Sequence, residues 1–139
     1  MDALPLTGSC GCGAVRFEIA EPLVAAAYCH CTRCQKRSGT ATQASAKVVP
    51  GSVTLLQGED RLRDWTPPGG LAKTFCGECG SHVFARDPAD GEIVVVRMAA
   101  IDGDPGVRPA AHQFVAFAAP WEEIREDGLP RFEERIPQS

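Results

Sequence analysis

A mainly β fold is predicted by three features of the sequence. Short apolar segments alternate with polar positions, helical periodicity is scarce, and 11 Pro and 14 Gly in 139 residues punctuate the chain every few positions. The first strand signal is AVRFEIA at 14–20, where Val15, Phe17 and Ile19 alternate with Arg16 and Glu18. SVTLL and RLRDW, within 52–65, flank the turn sequence QGED and read as a hairpin. HVFAR and EIVVVRM, either side of the DPADG turn at 87–91, read as a second pair, and EIVVV is apolar enough for burial on both faces. HQFVAF at 112–117 is a late strand candidate. Helix is expected only as a turn after Thr32, another near 99–102, and a short one in PWEEIRE.

Composition bounds the function. An apolar fraction of 44% with 23% charged residues is that of an ordinary soluble domain, and one domain over 1–139 is expected. A formal charge of −4 argues against general nucleic-acid binding. No run approaches the ~18 apolar residues of a membrane span. The start MDALPLTGSC has an early Asp2 and neither a basic nor an apolar leader segment, so the cytoplasm, where thiols stay reduced, is the expected location. Charge is unevenly spread: no carboxylate lies between Glu21 and Glu59, while Arg33, Lys36, Arg37 and Lys47 do.

Seven cysteines are grouped as two, three and two. An odd count weakens a disulfide reading, and in a reducing compartment such clusters more often bind metal. In CGECGS, Cys76 and Cys79 form a C-x-x-C knuckle that Gly80 lets turn tightly. In CGCG, Cys10 and Cys12 face the same way from an extended segment. Together the two pairs make the four-sulfur set of a structural zinc site. Cys29, Cys31 and Cys34 remain, within YCHCTRCQKRSG. Thr32 and Gln35 have capping-box spacing, Gly39 is a helix stop, and Cys34 falls in the first turn, where the helix dipole favours its thiolate. Three protein ligands with an open position is the pattern of a reactive zinc site. A closed second site, completed by His82, His112, a carboxylate or a water, is the competing reading. A swapped partition, such as Cys29 and Cys31 with Cys76 and Cys79, also fits the spacing.

The stretches GSCGCGAVRF, YCHCTRCQKRSG, FCGECGSHVF and APWEEIREDGLPRFE, in that order, resemble the glutathione-dependent formaldehyde-activating enzymes. That family shares its domain with centromere protein V. The resemblance spans roughly 6–132. It implies an Mss4-like fold of twisted antiparallel sheets with two zinc ions per chain. The structural ion would sit on Cys10, Cys12, Cys76 and Cys79, and the catalytic ion on Cys29, Cys31 and Cys34. The implied reaction joins glutathione to formaldehyde, a carbon–sulfur lyase activity.

The expectation is therefore an enzyme that holds a glutathione-like thiol at the trio and adds it to a small carbonyl. Arg33, Lys36 and Arg37 would pair with the thiol's carboxylates. His30 and His82 are proton carriers by residue type alone. The alternatives are a non-catalytic module stapled by two zincs, or a thiolate redox or metal sensor. Trp65 and Trp121 read as packing residues, and PPGG at 67–70 as a loop that either flanks the site or simply turns.

Overall fold

The computed structural model describes residues 4–137. In chain order the strands are β1 (Leu6–Ser9), β2 (Arg16–Ile19), β3 (Ala25–Cys29), β4 (Gln43–Lys47), β5 (Val53–Gln57), β6 (Leu62–Trp65), β7 (Ala72–Cys76), β8 (His82–Arg86), β9 (Ile93–Arg97) and β10 (His112–Gln113). The one α-helix among the described residues, α1 (Thr32–Ser38), joins β3 to β4. β1, β2 and β5 make a three-stranded sheet; the other seven strands make a second sheet in the order β10-β3-β4-β9-β8-β7-β6. Every named pairing is antiparallel except β10 beside β3.

The core lies between the sheets. Alternation on β2 sends Phe17 and Ile19 inward, fully buried. From the large sheet, Ala26, Ala46, Val96 and Phe84 are aligned across four strands by register and face them. Phe17 meets Phe84 edge-on at 4.9 Å. The wall is tight at Gly8, where an added Cβ would lie 2.2 Å from the Phe17 ring.

Most expected elements form, with corrections in how they pair. β8 and β9 are the predicted pair. The two segments of 52–65 are strands but not a hairpin: β5 pairs with β2 and β6 with β7. Gly58, at φ 85°, and a 3-10 turn at Glu59–Arg61 carry the chain from one sheet to the other. β9 is only half-buried at Ile93, Val94 and Val95, and its Val95 face lines a cleft. The late strand stops after two residues, where Phe114 adopts φ 59° and a 3-10 turn follows. The turn near 99–102 is a 3-10 turn at Met98–Ala100, and PWEEIRE forms bends rather than helix.

α1 forms where expected and ends at Gly39 in the left-handed conformation. Its N-cap is Cys31, not Thr32: the Cys31 sulfur accepts the Cys34 amide at 3.3 Å. Gln35 instead donates from Nε2 to the His30 and Phe117 carbonyls, tying the helix to the loop after β10.

Candidate functional site

The seven cysteines separate into two sets, each with its ligand atoms within 4.8 Å of one another: Cys10, Cys12, Cys76 and Cys79, and Cys29, Cys31 and Cys34. The swapped partition is thereby excluded. In the quartet, the end of β7 and the turn into β8 meet the turn after β1, with Cys10 and Cys12 sulfurs 3.7 Å apart and Cys12 and Cys76 3.9 Å apart. The Val15 amide donates to the Cys10 sulfur at 3.2 Å. Ser81, which sequence reasoning missed, accepts the Gly11 amide at 2.8 Å and contacts the Cys79 sulfur at 3.2 Å. That contact and the Ser81 amide hold the Cys79 thiol down at about 6. Converging soft sulfurs with N–H donors aimed at them suit a thiophilic metal ion.

The trio is built by β3, which ends at Cys29, and by the first turn of α1, which carries Cys34 above Cys31. Hydrogen bonds from the Cys29 and Cys34 thiols and from backbone amides draw Cys31 far below the ordinary thiol range. Cys29 is pushed far up, chiefly by its bonds to Cys31 and Cys34 and by burial. Cys29 pulls the Cys34 thiol down, but Cys31 and burial outweigh it and leave Cys34 raised. Among the described residues no His, Asp, Glu or further Cys joins the trio. His112 hydrogen-bonds through Nδ1 to His30 Nε2 and through Nε2 to Asp127, both at 2.8 Å. His82 meets Gln43 at 3.1 Å.

The trio opens on a cleft of about 1670 Å³; the quartet does not line it. Strand register explains the cleft floor. One row crosses six strands: Ala25, Lys47, Val95, Ala85, Lys73 and Trp65 are successive partners. The next row is Ala27, Ser45 and Arg97, and Cys29 lies two residues beyond Ala27 on the same face. Small side chains at Ala25, Ala27, Ser45 and Ala85 leave the space. The walls are α1, with Arg33, Lys36 and Arg37, the 66–71 loop, and residues 135–137 of the tail. PPGG therefore flanks the site. Trp65 is an exposed rim residue over which Arg37 stacks, 5.9 Å from the ring centroid, and Trp121 is exposed away from the cleft.

Among the described residues seven cations line the cleft against one carboxylate, Asp87. Sequence reasoning found Arg33, Lys36, Arg37 and Lys47 but missed Lys73, Arg97 and Arg135. Arg97 is 7% exposed, donates from Nη1 to Ser45 Oγ at 2.7 Å, and leaves its Nε without a hydrogen-bond partner. Burial lowers its affinity for a proton, and the sulfurs of Cys34, Cys29 and Cys31 partly restore it. Burial also lowers Lys73 and Arg37, and repulsion from Arg97 adds to both shifts. His30 lines a separate cavity of about 580 Å³ with His112 and Asp127, and neither His30 nor His82 lines the cleft.

A β-rich fold with a closed sulfur quartet and an open sulfur trio defines a small thiolate protein with two potential metal centres. The comparisons place it more narrowly. The glutathione-dependent formaldehyde-activating enzyme family matches residues 5–117, and the chain belongs to that family. It is 31% identical, over 128 residues, to a Halomonas elongata protein provisionally named as such an enzyme; the match covers 86% of this chain and 80% of that one. A crystal structure of a Rhodobacter sphaeroides protein superposes with a TM-score of 0.54 at 27% identity, covering 74% of this chain and 91% of the other. Among the described residues no helix is long and apolar enough to cross a membrane.

Proposed function

We propose that this protein is a zinc enzyme that joins a glutathione-like thiol to a small carbonyl compound and reverses the reaction, a carbon–sulfur lyase chemistry. Two zinc ions per chain would be held, one by Cys10, Cys12, Cys76 and Cys79, the other by Cys29, Cys31 and Cys34. The observation that carries the reading is the difference between the clusters: four sulfurs close one, while three open on a cationic cleft. Bound at the trio, zinc would supply a seat that favours the thiolate form of an incoming sulfur.

The chain's own residues do the rest. Cys31 accepts the Cys34 amide, which ties the first turn of α1 to the trio, and all three cysteines line the cleft. Arg33, Lys36 and Arg37 on α1 bind the carboxylates of the thiol and orient it. The small residues of the floor leave room for the carbonyl compound beside the sulfurs. With His30 and His82 outside the cleft, the adduct oxygen takes its proton from water or from a cleft cation. The family's own substrates, glutathione and formaldehyde, are the first pair to test. Exchange NMR with labelled formaldehyde and glutathione should show adduct formation and breakdown faster than in buffer. Rates equal to buffer remove this substrate pair.

A further inference from the structure

We propose that Lys73 and Arg97 form a carboxylate subsite beside the trio, and that the carbonyl ligand of this cleft is therefore a 2-oxo acid such as glyoxylate. The inference rests on the thiol–carbonyl reading above and specifies its electrophile.

Three observations carry it. The first is placement. Arg97 occupies the row next to Cys29, two strands away, so their Cα atoms are roughly 12 Å apart, a gap the arginine side chain largely spans. Lys73 projects from the same sheet face. The second is the lack of partners. Among the described residues neither cation forms an ion pair with a carboxylate. Arg97 is nonetheless buried, with Ser45 as its one hydrogen-bond partner. Burying a guanidinium is costly unless an anion compensates it. The third is the charge balance. Three thiolates around a divalent ion carry one net negative charge, which Arg97 alone would match. Lys73 is then surplus; burial lowers both cations, and repulsion from Arg97 lowers Lys73 further. A ligand anion settling between them relieves both.

The thiol's carboxylates do not fit that position. In glutathione the nearer carboxylate is separated from sulfur by several bonds, so it reaches the rim cations of α1. A carboxylate attached directly to the carbonyl carbon lies beside the sulfur that attacks it. The step is R–SH plus O=CH–COO⁻ giving R–S–CH(OH)–COO⁻. The S–H bond breaks, an S–C bond forms, the carbonyl π pair becomes the C–O⁻ pair, and the thiol's proton finishes on that oxygen. Nothing is oxidised or reduced. Formaldehyde has no group for the floor cations to hold.

The test uses metal-loaded protein and the variants Lys73→Met and Arg97→Met. Ligand-observed NMR and calorimetry measure binding of pyruvate, with its methyl ester as the uncharged control. Wild type should bind pyruvate and not the ester, and each variant should weaken pyruvate by about tenfold or more, the weight of one charge-assisted hydrogen bond. Exchange NMR with glutathione should show glyoxylate handled faster than formaldehyde, an advantage that Lys73→Met abolishes. Should Arg97→Met not fold, half-buried Lys73 carries the test by itself. Equal binding of acid and ester, or unaltered pyruvate binding in Lys73→Met, overturns the subsite. Faster exchange of formaldehyde than of glyoxylate overturns the 2-oxo acid alone. Acceleration of neither, with pyruvate binding intact, overturns the reaction and leaves the subsite standing.

Discussion

Replacing one ligand in each cluster should cost very different amounts of stability. With metal bound, each cluster acts as a cross-link, and a cross-link restricts the unfolded chain more when it closes a longer loop. Cys12 and Cys76 are 64 positions apart. The chain-entropy relation gives about 4 kcal/mol for a loop of that length. The trio closes only the few residues from Cys29 to Cys34, for which the same relation gives about 2 kcal/mol. Cys76 is also fully buried in the core between the sheets, whereas Cys34 is part-exposed at the cleft. Against a total stability of roughly 5–15 kcal/mol, Cys76→Ser should be near or below the folding threshold, and Cys34→Ser should fold and unfold cooperatively. Urea denaturation of both variants with excess zinc, followed by circular dichroism, measures the gap. Equal losses, or a larger loss for Cys34→Ser, would contradict the division into a fold-closing quartet and a local trio.

Further consequences concern the backbone and the titrating groups. Gly58→Ala should destabilise more than Gly51→Ala in chemical denaturation: both have positive φ, but a Cβ at Gly58 would lie 2.1 Å from the Ala14 carbonyl oxygen, and none meets anything within 4 Å at Gly51. Gly51→Ala sets the conformational part, about 1 kcal/mol. His82 is held below its usual 6.5 by burial and by repulsion from Arg37 and Arg97. The unfolded chain therefore takes up the proton first, so stability falls as pH drops below 6.5 and levels off once the folded His82 is protonated. His82→Gln should flatten that part of the Tm-against-pH curve, and a wild type no steeper than the variant refutes the assignment. Asp127→Asn removes the charged partner of His112, and limited proteolysis should then cut faster within 120–135; unaltered cleavage argues that the backbone pairing of Phe132 with His112 holds the tail alone.

The cluster chemistry was legible because cysteine spacing is a local signal: C-x-C, C-x-x-C and the trio each bring sulfurs together within one turn or one strand. Strands were legible where a wet face and a packed face alternate, as in β2. The central strands β3 and β4 were not, since AAAYC and QASAK carry little of the β-branched signal. Their Ala and Ser side chains keep the cleft floor open, so the property that makes the site conceals the strands that build it. The false hairpin at 52–65 shows the other limit. Turn chemistry marks where the chain bends, but the choice of β2 for β5 and β7 for β6 depends on partners distant in sequence. Arg97 was missed for the same reason. At the end of an apolar strand it reads as a solvated strand terminus, and only register places it beside Cys29.

X-ray absorption at the zinc edge, before and after addition of glutathione, addresses the trio most directly. The account predicts two zincs per chain with an average midway between three and four sulfurs each, rising to four when the thiol is added. Four sulfurs from the outset, or an average that glutathione leaves unchanged, would contradict it.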